Sequence, residues 1–207
     1  YYVKDNFNYT IEYYYDNAKD NSKTETGSAL YQSTIDSYPD KNITGYKFDK
    51  HENVPLTISA NSADNVIKVY YVKDNFNYTV EYYYDNVKDT SKTESGSALY
   101  QSTINNYPDK NITGYKFDKH ENVPLTITEN PENNVIKVFY VKDTFDYRID
   151  YYYDNVKDDS KTETGSALYQ STIDSYTDKN ITGYKFDKTE NLPLTITENA
   201  DNNVIKV

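Results

Sequence analysis

The chain repeats itself. Offset by 69 residues, all 207 align without a gap, so that Tyr2-Val3-Lys4-Asp5 falls on Tyr71-Val72-Lys73-Asp74 and on Tyr140-Val141-Lys142-Asp143. The first and second copies differ at 11 positions and the first and third at 15. Length alone would suggest one or two domains, but a gapless period overrules that prior and makes the chain a tandem array. Whatever fold it adopts must be one that 69 residues can build and that can be joined to itself.

Composition narrows the classes. The chain has no Cys, which excludes a disulfide framework, a zinc–thiolate site and a cysteine nucleophile. No apolar run approaches the ~18 residues of a membrane-spanning helix, and no signal peptide is present. A net charge of −11 argues against binding nucleic acid phosphates or an anionic membrane. Acidity with few aliphatics can signal disorder. Here 26 Tyr and 7 Phe supply rings able to fill a core.

Across most of each copy the hydrophobic period is close to two, which predicts strands. In Tyr9-Thr10-Ile11-Glu12-Tyr13-Tyr14-Tyr15-Asp16 one face carries Tyr9, Ile11, Tyr13 and Tyr15. The copies agree: the Ile11 position stays Val80 or Ile149 while Thr10 drifts to Arg148. An Asx-rich turn over 16–22 follows, then a polar strand through Lys23-Thr24-Glu25-Thr26 to Gly27. Leu30, Thr34, Ile35 and Tyr38 are spaced like one face of a short helix stopped before Pro39. Residues 45–50 alternate with Tyr46 and Phe48 inward, and 55–58 with Leu56 and Ile58 inward. The last strand, 66–72, runs almost directly into the next copy.

That junction sets the frame. Residues 1–7 read as the tail of a preceding repeat, followed by repeats at 8–76, 77–145 and 146–207, the last stopping within its final strand. Lacking an initiating Met, the chain reads as an internal piece of a longer protein. No Gly, Ser or Pro linker separates the repeats, and Phe76 and Phe145 are expected to wedge between them. A unit this small sits near the lower limit for a core without disulfides or metal. Roughly a dozen inward side chains, at about 1.5–3 kcal/mol each, offset most of the chain entropy.

The order of motifs is similar to that of a known family. An opening aromatic strand, Glu25-Thr26-Gly27, Ile43-Thr44-Gly45-Tyr46 and a terminal Val69-Tyr70-Tyr71-Val72 together resemble the mucin-binding-protein (MucBP) repeat of Gram-positive bacterial surface adhesins. The resemblance covers all three copies. Asp16-Asn17 stand where the family usually has a glycine, and the tyrosine content is high, which places the chain in a divergent branch. The resemblance implies a mainly β fold, α+β at most, of three tandem β-grasp (ubiquitin-like) repeats arranged end to end as a rod. It also implies an extracellular, cell-wall-anchored protein whose partners are mucin glycans or host extracellular glycoproteins, with no membrane insertion of this segment.

Candidate chemistry is sparse. The outward Tyr14, Tyr83 and Tyr152 of the three Tyr triplets could offer sugar rings an apolar face beside Asp16, Asp85 and Asp154, or could be cross-strand partners on a sheet surface. The Asp/Asn-rich turns raise Ca²⁺, although they lack the glycine and distal Glu of an EF-hand loop. Lys beside Asn and Asp raises intramolecular isopeptide bonds, with no pair singled out. His51 and His120 align with Thr189, which disfavours catalysis or metal binding. Neither a Ser/His/Asp arrangement nor a Gly-rich phosphate loop appears, so an enzyme is not expected and no cofactor is required. Two roles remain: an elongated stalk projecting a distal binding domain, and direct multivalent binding in which repetition supplies avidity.

Overall fold

The structure, a computed structural model, describes residues 1–207 apart from 42, 111 and 180. It is mainly β. Among the described residues the only helical pieces are short 3-10 turns at Thr90–Lys92, Pro131–Asn133 and Asp159–Lys161. The chain divides into two compact units, one of residues 1–79, 95–105 and 124–135, the other of 80–94, 106–123 and 136–207.

The first unit contains the whole first copy. Its strands are β1 (Asn6–Tyr15), β2 (Ala18–Lys19), β3 (Glu25–Leu30), β4 (Thr34–Ile35), β5 (Tyr46–Glu52), β6 (Leu56–Thr57) and β7 (Val66–Lys73). Central β1 pairs antiparallel with β3, from Asn6↔Leu30 to Ile11↔Glu25, and with β2 at its far end. On its other side it runs parallel to β7, from Thr10↔Val66 to Tyr15↔Tyr71. β5 closes that edge, antiparallel to β7, and β4 and β6 form a separate two-stranded ribbon. Alternation in β1 and β7 sends Ile11, Tyr13, Ile67, Val69 and Tyr71 to one face, where Leu56 and Ile58 cover them. Gly27 is required by close approach: a Cβ there would lie 2.4 Å from Tyr9 Cζ.

Buried tyrosines do more than fill space. Fully buried Tyr13 donates its hydroxyl to Pro39 O at 2.7 Å. Tyr71 donates to Asp40 Oδ1 at 2.5 Å and accepts from Lys41 N at 3.0 Å. Phenylalanines would bury as much ring but leave this strandless stretch without its anchors. Asn65, wholly buried, plays the matching role elsewhere: it accepts from Ser59 N and donates to Ser59 O and Asn8 O, at 2.9–3.1 Å. A buried amide with its partners in place tolerates the low dielectric that would penalise an orphan.

One expectation fails here and another holds only in part. Residues 30–38 are not helical: Leu30 ends β3 and is half-exposed, Gln32 turns at φ +61°, and Thr34 and Ile35 pair with Thr57 and Leu56. A residue in the left-handed region ends any right-handed helix, and the β-branched pair prefers the ribbon. Phe48 is inward only in part: it pairs with Tyr71 on the core face, edge-on to that ring at 6.2 Å, but in the edge strand it stays 49 % exposed, and a bulge follows it between Phe48 and Lys50.

The second copy contributes to both units its strands β8 (Asn75–Tyr84), β9 (Val87–Lys88), β10 (Glu94–Leu99), β11 (Thr103–Ile104), β12 (Tyr115–Glu121), β13 (Leu125–Thr126) and β14 (Val135–Lys142). In the second unit β12 pairs antiparallel with β14, with the same bulge. The third copy follows there as β15 (Thr144–Asp150), β16 (Tyr152–Tyr153), β17 (Val156–Lys157), β18 (Glu163–Leu168), β19 (Thr172–Ile173), β20 (Leu194–Thr195) and β21 (Val204–Lys206). β15 is antiparallel to β18 and parallel to β21, over a core of Ile149, Tyr151, Leu194, Ile196 and Ile205. Residues 184–189 form no ladder; a single bridge, Glu190↔Lys206, marks where β5 and β12 would have their counterpart.

Candidate functional site

The outer face of the first sheet carries the predicted aromatic. Tyr14 is half-buried and stacks on Tyr70, its parallel-ladder partner, with ring centroids 4.9 Å apart and planes 22° from parallel. The Lys50 ammonium sits 4.7 Å from the Tyr70 ring centre. Below them the Tyr14 hydroxyl donates to Glu12 Oε2 at 2.6 Å, and Lys19 Nζ reaches Glu12 Oε1 at 2.5 Å. Burial alone would raise the Glu12 carboxyl, but the Lys19 and Tyr14 donors hold it below its ordinary value. The hydrogen bond to that carboxylate pushes the Tyr14 phenol up to about 12.

Copies vary this patch. Tyr83 stacks on Phe139 at 4.8 Å, under Lys119, with Glu81 and Lys88 in the same roles. In the third copy Tyr152 is half-buried and lines a cavity of about 660 Å³ with Arg148, Asp150, Pro193 and Lys206. Asp150, shorter than Glu12 and buried, is held by Arg148 at 3.1 Å, Lys157 at 3.0 Å and the Thr162 hydroxyl at 3.2 Å. The aligned hydroxyls of Thr24 and Thr93 are buried without a partner. The longer glutamates turn to tyrosine and lysine instead.

The predicted aspartates serve a different purpose. Asp16 and Asn17 both have positive φ, +47° and +66°, forming the two-residue turn between β1 and β2; Asp85 and Asp154 do the same. Such a turn needs φ > 0 twice, and Asp-Asn tolerates it where Gly is absent. The Asp16 carboxylate accepts from the Tyr46 hydroxyl and Lys73 N, both at 3.3 Å. Asp85 accepts from Tyr115 at 3.2 Å and Asp154 from Tyr184 at 3.5 Å. Tyr14 and Asp16 therefore engage different groups. The next Asx position, Asp20, accepts from Ser22 N and Oγ, an ordinary Asx turn. Among the described residues no group of three His, Asp or Glu could hold a metal ion. His51 Nδ1 lies 3.0 Å from the Tyr38 hydroxyl, and His120 likewise from Tyr107.

A second arrangement lies where one copy meets the next. A single residue, Asp74, separates β7 from β8. Its N–H donates to Gly45 O at 2.8 Å, its C=O accepts from Tyr100 N at 2.8 Å, and its carboxylate pairs with Lys47 at 2.9 Å. The Tyr100 ring lies against Gly45: a Cβ there would fall 2.1 Å from Tyr100 Cδ1, and φ is +80°. Gly114, Asp143 and Tyr169 repeat the arrangement, with Glu198 Oε1 accepting from Gly114 N at 2.8 Å. Of the phenylalanines expected to wedge here, Phe76 is edge-on to Tyr100 and Phe145 to Tyr169, as Phe7 is to Tyr31. Tyr100 and Tyr169 are the residues that reach back.

Sequence patterning missed Tyr70, Lys50 and Tyr100 as participants. The parallel β1–β7 register brings Tyr70 to Tyr14, and period two in both strands was a readable signal for it. No family model matches the chain. A search of curated proteins likewise finds no match.

Proposed function

We propose that the chain is the tandem repeat region of a bacterial cell-surface adhesin, a stalk that holds a distal binding domain away from the cell wall. The motif order quoted above, similar to that of MucBP repeats, supports the family reading. The parallel pairing of β1 with β7 supports a β-grasp unit, because parallel first and last strands put a unit's start and finish at opposite ends. One observation carries the stalk role. Successive copies are joined by a lone aspartate, both of whose backbone groups are hydrogen-bonded, with a tyrosine of the next copy seated on a glycine of the last. A binding module on a flexible tether would need no such joint.

Units joined in this way make a rod. Small-angle scattering tests it: the 207-residue chain should give a narrow pair-distance distribution with an elongated tail. A broad one, unchanged by Gly45→Ala and Gly114→Ala, would overturn the stalk. The second reading, direct binding of mucin glycans or host glycoproteins, draws on the exposed edge of the Tyr14–Tyr70 patch and its recurrence at Tyr83. A mucin- and glycan-binding assay on one, two and three copies separates the two. Binding that climbs steeply with copy number favours adhesion; no binding at three copies leaves the stalk.

A further inference from the structure

An oxidant that meets this chain has few kinds of target. The sequence contains no Cys, Met or Trp, the side chains that usually give up electrons first, and it contains 26 Tyr. One-electron oxidation therefore falls on a phenol. Losing an electron makes a phenol strongly acidic, so the phenol easiest to oxidise is one whose proton already rests against a base.

Most of the tyrosines lack such a base. Tyr13 and Tyr82 donate to the carbonyls of Pro39 and Pro108, which cannot hold a proton. The hydroxyls of Tyr15 and Tyr84 are buried without a partner. Tyr14 and Tyr83 donate to Glu12 and Glu81, but Lys19 and Lys88 already neutralise those carboxylates. Tyr71 differs. Almost wholly buried, it donates to Asp40 Oδ1 at 2.5 Å and accepts from Lys41 N at 3.0 Å. Tyr140 repeats this in the second copy, with Asp109 at 2.5 Å and Lys110 N at 3.0 Å. The ammonium groups of Lys41 and Lys110 go to Glu25 and Glu94, so each aspartate keeps its charge for the phenol. Burial and Asp40 hold the Tyr71 phenol above its ordinary value, so its proton leaves only when an electron does.

Touching rings lead outward from both phenols. Tyr71 stacks on Tyr15 at 5.3 Å, and Tyr15 meets half-buried Tyr46 edge-on at 5.4 Å. In the second copy Tyr140, Tyr84 and half-buried Tyr115 repeat the run, with 5.4 Å at both steps. These separations are those of aromatic pairs in contact.

We propose that Tyr71 and Tyr140 are redox-active tyrosines, buried sinks for oxidising equivalents that arrive at Tyr46 and Tyr115. A one-electron oxidant, of the class of trivalent metal complexes, takes an electron that leaves Tyr71 by way of Tyr15 and Tyr46. The phenolic O–H bond breaks, the proton passes to Asp40, and a neutral phenoxyl radical remains. Its oxygen keeps the Lys41 N–H bond and now accepts from the protonated Asp40. Burial keeps the radical ring from coupling to a second phenol. A one-electron reductant of the ascorbate class reverses the step: the electron returns, and the proton moves back from Asp40 to the oxygen. Tyr140 and Asp109 act in the same way.

Photolysis of tris(bipyridine)ruthenium(II) with persulfate supplies the oxidant, and electron paramagnetic resonance of the frozen chain reads the radical. The unaltered chain should give a long-lived neutral tyrosyl signal, with couplings to exchangeable protons, that ascorbate erases. Tyr71→Phe with Tyr140→Phe should cut this signal several-fold and raise dityrosine fluorescence. Asp40→Asn with Asp109→Asn keeps an acceptor oxygen but no base, and should cut the signal as far. Because that pair retains both phenols, it decides the matter even if the phenylalanine pair fails to fold. Tyr13→Phe with Tyr82→Phe removes buried hydroxyls bonded only to carbonyls and should leave the signal unchanged. A signal that survives the aspartate or the sink substitutions, or falls equally in the carbonyl-bonded pair, overturns the proposal.

Discussion

The segment Ile-Thr-Gly-Tyr-Lys-Phe-Asp-Lys occurs identically in all three copies, yet it enters a strand in two of them and not in the third. In the first copy Tyr46–Glu52 is laddered to Lys73–Lys68, and in the second Tyr115–Glu121 to Lys142–Lys137. In the third, 184–189 carry no such ladder, and Tyr184 and Phe186 are exposed at 50 % and 57 %. Identical residues thus take different conformations because the neighbouring strand differs. The edge strand is a property of the ladder, not of its own propensity.

The comparison can be broken most forcefully at Tyr71. Tyr71→Ala should cost about 3–5 kcal/mol, seen in chemical denaturation, and should strip hydrogen-exchange protection from 46–52 until they behave like 184–189. Protection that persists would mean that β5 stands without the buried ring. Glycines sharpen the contrast next. Gly45→Ala meets Tyr100 as well as an unfavourable φ, whereas Gly183→Ala meets only the backbone penalty. Gly45→Ala should therefore be the more damaging by about 1–3 kcal/mol, and equal melting shifts would refute the tyrosine seat.

Where the copies are alike, their responses should match. Asn65→Ala and Asn203→Ala orphan the same buried backbone groups, since Asn203 accepts from Thr197 N and donates to Thr197 O and Asp146 O. Each should cost about 1–3 kcal/mol; a large disparity in calorimetry would show that the copies differ in core as well as edge. The smallest effect concerns acid. Burial would raise the Asp150 carboxyl, but Lys157, Arg148 and Thr162 hold it below its ordinary 3.8. A carboxylate lowered by folding contributes stability above its unfolded pKa and loses it as pH falls through the folded one. Asp150→Asn should then destabilise the chain at neutral pH and lose that effect in strong acid. A penalty independent of pH would assign Asp150 a role other than charge.

Much of the architecture was legible in particular residues. Period two in 9–16 and 66–72 marked the inward sets, and Ile11, Tyr13, Ile67 and Val69 are all buried. Of two local readings one failed and one held only in part, each for a physical reason. Leu30, Thr34, Ile35 and Tyr38 have helical spacing, but Gln32 at φ +61° breaks the turn, and nothing in the residue type announced it. Phe48 follows the alternation onto the face of Tyr71, but the edge strand leaves half of its ring exposed. The outer patch was half legible: Tyr14 was visible as an outward aromatic, while its pairing with Tyr70 needed the parallel register. Tyr100 was not legible within one copy, because its partner is the preceding copy's glycine.

The direction of the β1–β7 pair has a mechanical meaning. Tension along the chain pulls β1 toward its N-terminal end and β7 toward its C-terminal end. Since the two run side by side in parallel, the load acts along the ladder and strains every pair from Thr10↔Val66 to Tyr15↔Tyr71 together, instead of opening them one by one. Under a stretching force the first copy should act as a clamp.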